Sequence, residues 1–377
     1  MPYWRLSGFY FFYFAVVGAL IPYWGLYLKS IHLTPLQIGQ LMAILQLSRI
    51  VAPNIWGWVA DHRGRYMEVV RLTALFAVLA FSGVFLGQDF WWLAAIMLLF
   101  AFFWDASLPQ LEAATLNHLR EQAGAYAHIR LWGSIGFIVT VMGLGQLFDQ
   151  VHIWWLLPSL LVLMIGIWLF TLIIPESQMQ APRMSQQPFY RVFARTEVWG
   201  FMLACFLMQA SHGPYYTFYS IYLDTFGYSK TLIGALWAFG VICEIGIFLM
   251  MHRVNAWLDL RRILLVSFGV AAGRWLLIGL FPENLGILIF AQALHAVTFG
   301  AYHAAAIQMV QSFFTGRHQV RGQAMYSSAS FGLGGALGSV YSGVTWERLG
   351  ATGTFGVAAI TAAAAVLVTY WLIRPKV

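Results

Sequence analysis

The sequence predicts an all-α integral membrane protein, twelve transmembrane helices in two pseudo-symmetric six-helix halves. Three observations carry that prediction. Of 377 residues, 60% are hydrophobic and 9% are charged, against roughly 25% charged in water-soluble domains. Charges and turn signals divide the chain into apolar runs near the ~20 residues that a helix needs to cross hydrocarbon. The lysines and arginines fall on alternate connections, 15 on one side and 3 on the other. A soluble, disordered or nucleic-acid-binding protein is excluded by the same composition, despite a net charge of +7.

The runs, in order, are 7–28, 37–60, 67–87, 91–115, 127–148, 153–174, 198–223, 231–251, 262–281, 285–313, 322–346 and 352–373. None alternates apolar and polar residues as a β-barrel strand does, so each reads as a helix. The first begins at once after Arg5 and contains aromatics, Gly18 and Pro22; it reads as a first span and not as a cleaved signal peptide. The 15-to-3 asymmetry places both termini in the cytoplasm by the positive-inside rule. The polar, basic stretch 176–197 is the one long connection, and it separates a first bundle (1–175) from a second (198–377). RLWGSIGF (130–137) is echoed 194 residues later by AMYSSASF (324–331), with small residues at matching places. The small residues of the eleventh run, from Ser327 to Gly343, suit close helix packing. Cys205 and Cys243 sit in apolar runs without CxxC spacing, and the histidines lack HxxxH spacing. No disulfide, metal or cofactor is expected.

Ionisable residues inside the runs are the candidate functional groups, because each costs ~2.5–3.5 kcal/mol or more at a span centre. They are Arg49, Asp105, Glu112, Arg130, Glu244 and Arg274, with His212, His295 and His303. Asp105 and Glu112 are two helical turns apart and share a face. Three acids can neutralise three arginines in a polar cavity. His303, eight residues after His295, is expected about 80° further around an α-helix. Tyr215, Tyr216 and Tyr219 can line a cavity or pack within the bundle.

Between the second and third runs stands Gly57-Trp58-Val59-Ala60-Asp61-His62-Arg63-Gly64-Arg65. This resembles the signature loop of the major facilitator superfamily, with His62 where an arginine is more usual. The resemblance implies a gating role for Gly57, Asp61, Arg63, Gly64 and Arg65. Asp61 is suited to pair with an arginine and a helix N-terminus, and Gly64 to a tight turn. Glu112 and Arg130, 18 residues apart, resemble the sugar-holding pair of lactose permease, and Glu244, Arg274 and His295 resemble its proton-coupling group. Two departures stand out: Thr298 occupies the place of an acidic proton carrier, and a basic residue late in the eleventh span is missing.

The chain as a whole is similar to the phenylpropionate permease (3-phenylpropionic acid transporter) family, related to lactose permease. That likeness runs through PYWGLYLK (22–29), LTPLQIG (33–39), IRLWGSIGF (129–137), QASHGPYYTFYSIYL (209–223), LWAFGVICEI (236–245), GRW (273–275), the His295 and His303 pair and RPK (374–376). It implies a proton symporter of the cell inner membrane that works by alternating access and takes up a small organic solute such as 3-phenylpropionate. Glu112, Arg130, Asp105, Arg49, His212 and Tyr216 would hold the solute; Glu244, Arg274, His295 and His303 would couple the proton. The expected partners are a small-molecule substrate, protons and the lipid bilayer, for a monomer with no nucleic acid and no enzymatic reaction. An oligosaccharide or nucleoside symporter is the alternative. A proton-coupled exporter is less favoured, because Ile129–Asp149 lacks the proline of the usual exporter pattern. No GxxxxGK[ST] occurs, so the driving energy is an ion gradient.

Overall fold

In the computed structural model, residues 2–119, 124–176, 192–193, 195–315 and 318–373 are described. Most of the expected linker 176–197 lies outside them. So do Arg120, Arg183, Arg191, Arg317, Arg374 and Lys376, on which part of the orientation argument rests. The described residues form α1 (Tyr3–Ser30), α2 (Pro35–Arg63), α3 (Tyr66–Ser82), α4 (Phe90–Leu119), α5 (Gly124–Phe148) and α6 (Leu156–Ile173). These are followed by α7 (Thr196–Ser211), α8 (Gly213–Thr225), α9 (Lys230–Trp257), α10 (Leu260–Leu280) and α11 (Leu285–Ala293). Last come α12 (Tyr302–Phe313), α13 (His318–Ser327) and α14 (Gly335–Leu372), with π-helical turns at Ala296–Ala301 and Ser328–Gly334. No strand occurs among the described residues.

Nine helical segments there are long and apolar enough to cross a membrane. The segment Arg321–Leu372 contains Gly350 at φ 68°, where the sequence expects a turn between two spans. The span expected at 198–223 is broken at His212 into α7 and α8. Pro214 explains the break. Lacking an N–H, it cannot serve the Ala210 carbonyl, which instead accepts from Tyr341 Oη at 3.0 Å. The Met208 carbonyl likewise takes Ser211 Oγ at 2.7 Å and His212 Nδ1 at 2.9 Å.

Contacts divide the chain into two units: Met1–Ala181 with Gly227–Ala238, and Pro182–Phe226 with Phe239–Val377. In the first, α2 starts with a capping box, Thr34 and Gln37 each bonding the other's backbone N–H. Its α1 and α5 cross on glycines. A Cβ on Gly18 would lie 2.7 Å from the Phe137 carbonyl, and one on Gly136 would run into the Phe11 carbonyl. The second unit repeats the device between α7–α8 and the chain around the second π turn. There a Cβ on Gly334 would lie 2.6 Å from the Phe206 carbonyl, and one on Gly338 2.7 Å from that of Ala210. Each unit thus needs small residues where two backbones touch. A second repeat joins helix ends. Arg71 donates to the Thr171 and Ile174 carbonyls at 3.0 and 2.7 Å, and Arg261 to those of Ile373 and Tyr370 at 2.5 and 2.9 Å.

The opening turns of α9 pack within the first unit. Gly145 and Gly234 let them approach α5, and the Asp149 carboxylate accepts the N–H groups of Lys230 at 2.7 Å and Thr231 at 3.0 Å. Partial burial pushes the Asp149 carboxyl up. The bonds from Thr231 and Lys230 outweigh it and hold the group below the ordinary carboxylate range. A carboxyl lowered by folding gives stability above its unfolded pKa, and that stability is lost as the pH falls through the folded one. Melting temperature in detergent should therefore hold from pH 7 to 5 and drop below about pH 4. Asp149→Asn should melt lower at pH 7 and lose part of that acid slope.

Candidate functional site

Each unit carries its own set of buried ionisable groups. In the first, Arg49 Nε on α2 lies 3.7 Å from Asp105 Oδ1 on α4, with the acid side chain 7% and the arginine 37% exposed. These two pair with one another. Beside them Tyr13 stacks on Trp104 at 4.2 Å. Two turns beyond Asp105, Glu112 accepts a hydrogen bond from Tyr126 Oη on α5 at 3.3 Å. Among the described residues no ion pair joins Glu112 to Arg130. The Arg130 guanidinium instead lies over the Phe14 ring at 3.9 Å and near the Tyr10 ring at 5.8 Å. Gly133 makes room for it, since a Cβ there would lie 2.9 Å from Arg130 Nη1. Tyr126 and Phe14 were not foreseen; a tyrosine four residues ahead of Arg130, on the same helical face, is the signal that was there.

In the second unit Arg274 is fully buried, and its guanidinium is engaged on every side. Nε donates to the Ala291 carbonyl at 2.8 Å and Nη2 to Gln292 Oε1 at 3.2 Å. Nη1 donates to Thr298 Oγ1 at 3.0 Å and meets His295 Nδ1 at 3.1 Å. The ring of Tyr215 covers the guanidinium at 4.4 Å, and Tyr215 Oη bonds Gln292 Oε1 at 2.9 Å. Thr298 thus holds the arginine where the resemblance would put an acid.

An arginine only donates, so His295 Nδ1 must accept and the ring proton sits on Nε2. That Nε2 lies 3.6 Å from Glu244 Oε2 on α9. The expected Glu244 and Arg274 partnership is therefore indirect: His295 stands between them in a line Arg274–His295–Glu244. The line can do one thing chemically. It can turn the His295 Nε2–H toward the Glu244 carboxylate while Arg274 fixes the tautomer, so the proton that Glu244 gains or loses is the carboxyl's own. Gly300 permits the close approach, since a Cβ there would lie 3.2 Å from Glu244 Cγ.

His212 is fully buried at the α7–α8 break, with Nδ1 on the Met208 carbonyl and Nε2 unpartnered among the described residues. It stacks with Tyr216 at 5.7 Å, while Tyr219 is fully buried within α8. His303 Nδ1 lies 3.4 Å from Tyr326 Oη. The structure corrects the angle expected for His303. The π turn 296–301 winds more residues per turn than an α-helix, so His295, Phe299 and His303 stand on one face with their rings parallel within 10°.

The signature loop is exposed at its basic residues. Gly64 takes the left-handed conformation, φ 64°, that ends α2. Gly57 sits where a Cβ would meet Gln110 at 3.4 Å. Asp61 is bonded by Tyr66 Oη and, among the described residues, by no arginine. Arg63 and Arg65 both reach Glu68, at 3.4 and 3.5 Å, and the Met67 N–H at the start of α3 goes to Glu176 at 3.0 Å. A surface depression of about 700 Å³ lined by Tyr222, Phe281, Glu283 and Thr352 contains none of the site residues.

The contrast between the two arginines has a measurable consequence. Removing one partner from a buried, hydrogen-bonded charge group costs about 3–5 kcal/mol. Arg274→Ala should therefore lower the melting temperature in detergent far more than Arg130→Ala, whose side chain only stacks on rings. Equal shifts would refute this reading of the network.

A model of the MFS_1 like family matches residues 3–357. The chain is 30% identical over 371 residues to the probable 3-phenylpropionic acid transporter of Escherichia coli strain K12, covering 98% of this chain and 96% of that one. It is 25% identical over 347 residues to the maltose permease of Geobacillus stearothermophilus, covering 90% and 86%. Its fold matches the crystal structure of nucleoside transporter NupG with a TM-score of 0.87 over the whole of both chains at 16% identity. It also matches, at a TM-score of 0.72 and 16% identity over 98% and 95%, a bacterial homolog of the human lysosomal transporter Spinster in an inward-facing, unoccupied conformation.

Proposed function

The chain belongs to the MFS_1 like family of membrane transporters, and we propose that it is a proton-coupled symporter importing an aromatic carboxylic acid such as 3-phenylpropionate. The observation that carries this reading is the state of Arg130. Among the described residues no carboxylate lies within ion-pair distance of it, and its guanidinium rests on the Phe14 ring. A guanidinium in that state offers a bidentate seat to a carboxylate, and Phe14 and Tyr10 beside it suit an aryl group. The relative named for 3-phenylpropionic acid supports the same cargo. Arg49, Asp105, Glu112, His212 and Tyr216 complete the solute-holding set in this proposal.

Coupling is assigned to the line Arg274–His295–Glu244, with His303 beyond it on the same helical face. Glu244 takes up and releases the proton, and His295 assists by turning its Nε2–H toward the carboxylate. The chain crosses the cell inner membrane twelve times in two six-helix halves, 1–175 and 198–377. Both termini are cytoplasmic, and the protein works as a monomer by alternating access. Gly57, Asp61, Arg63, Gly64 and Arg65 act mechanically. An oligosaccharide or nucleoside symporter is the second reading, favoured by the names of the maltose and nucleoside relatives.

Two variants test the assignment in proteoliposomes. Arg130→Ala should abolish binding of 3-phenylpropionate while inserting normally; normal uptake by this variant would sink the carboxylate seat. Glu244→Gln should keep downhill exchange yet lose accumulation driven by an imposed pH gradient. A Glu244→Gln protein that concentrates solute like wild type would leave Glu244 a structural residue only. Comparing right-side-out with everted vesicles separates import from export.

A further inference from the structure

The depression of about 700 Å³ in the second unit lies at the end of α10 opposite Arg261. Pro282 ends that helix. A proline pushes the residue before it out of the helical region, and Phe281 stands at φ −127°. The last carbonyls of α10 are left without helical donors. That of Gly279 accepts Tyr222 Oη from α8 at 3.1 Å and Thr352 Oγ1 from α14 at 3.0 Å. These two bonds hold three helices together around the depression, and the turn 281–284 supplies the rest of its wall.

The lining is negative and aromatic. Glu283 stands in it with no cation in ion-pair distance among the described residues, and its charge reaches Tyr222. The carbonyl end of α10 adds the negative pole of a 21-residue helix. Phe226 and Phe281 line the same hollow and are 41% and 46% exposed. Phe226 also stands edge-on to the buried Tyr222 at 5.2 Å. Exposed rings alone are ordinary at a membrane surface; here they flank an uncompensated carboxylate in a hollow of ligand size. Ring faces, a carboxylate and a helix C-terminus all favour a cation. The apolar walls at Leu280 and Leu285 favour a cation that carries carbon over a hydrated metal ion.

We propose that this depression binds a small primary ammonium ion bearing an apolar group, with Glu283 its charge partner and Phe281 its ring partner. An ammonium group brings three N–H donors, which suit the carboxylate and the carbonyls beside it. The site shares no residue with Arg274, His295 or Glu244, and it takes the opposite charge from the proposed solute. It therefore stands or falls apart from the aromatic-acid reading. A free amine and the headgroup of an aminophospholipid both present this chemistry.

The probe is 2-phenylethylammonium, titrated at pH 7 into the purified protein in phosphatidylcholine nanodiscs. Wild type should bind it, and 2-phenylethanol, similar in shape but uncharged, should bind at least about threefold more weakly. Glu283→Gln should weaken the amine about three- to fivefold and leave the alcohol unchanged. Phe281→Leu should weaken the amine about two- to fivefold. Both side chains are exposed, so both variants should melt like wild type. Phosphatidylethanolamine nanodiscs separate the two sources. A lower apparent affinity there, absent in Glu283→Gln, assigns the site to the lipid headgroup, and an equal affinity assigns it to free amines. No binding to wild type up to about 10 mM, equal binding of amine and alcohol, or unchanged affinity in both folded variants would overturn the inference. Displacement of the amine by 3-phenylpropionate would overturn it too, since the amine would then occupy the solute's own site.

Discussion

A guanidinium buried among apolar helices dictates the layout around it. Arg274 has no access to water, so its N–H groups must all be met by protein. The second unit meets them with a carbonyl, an amide, a hydroxyl, an imidazole and a tyrosine ring, four of these on one stretch, 291–298. Bringing Ala291, Gln292, His295 and Thr298 onto one arginine spans seven positions of chain. Within it, from Ala296 on, the helix changes pitch into the π turn. That pitch in turn aligns His295, Phe299 and His303. The tautomer of His295, its direction toward Glu244 and the aromatic stack thus follow from one burial requirement.

The two units solve the same packing problem and then diverge at their charges. Arg71 and Arg261 close the ends of α6 and α14 in the same manner, and glycine crossings recur between α1 and α5 and between α7 and the region of Gly334 and Gly338. These are the parts a bilayer demands, since helix ends and close crossings have few other solutions in hydrocarbon. The divergence is in the arginines. Arg130 rests on aromatic rings, with its polar edges available; Arg274 is saturated by its neighbours. A saturated guanidinium orients groups, and an available one can receive a ligand. The proposal therefore gives the solute's carboxylate to the first unit and the proton to the second.

Much of this was legible in the chain. Apolar runs located the helices because hydrocarbon length is fixed, and Gly57 through Arg65 located the α2–α3 turn because Gly64 alone suits its backbone. What escaped were relations that depend on local pitch and on third residues. His303 was expected off the His295 face because α-helical geometry was assumed, and a π turn leaves little mark in composition. Glu244 and Arg274 were matched as opposite charges, yet His295 intervenes. Glu112 and Arg130 are near each other, but Tyr126 takes the carboxylate. Asp61 finds Tyr66, five residues on, which spacing alone could not rank above the nearby arginines. The break at His212 was written in Pro214, but not the donor that Tyr341, over a hundred residues away, supplies to the Ala210 carbonyl.

Charge balance gives the proposed coupling its physical reason. Counted unit by unit, Arg49 and Arg130 offset Asp105 and Glu112, and Arg274 offsets Glu244 while His295 is neutral. The resting set is thus neutral, as a low-dielectric interior favours. A solute carboxylate entering alone leaves one uncompensated negative charge, and a proton entering alone on Glu244 leaves one positive charge at Arg274. Either state is costly in hydrocarbon, whereas the two together restore neutrality. Thr298 matters to this balance. An acid at that position would add a negative charge beside Arg274 and compete with His295 for Nη1, loosening the tautomer that points Nε2 at Glu244. With a neutral hydroxyl there, the one carboxylate within reach of His295 is Glu244 among the described residues. A single proton then suffices to match a single anionic solute.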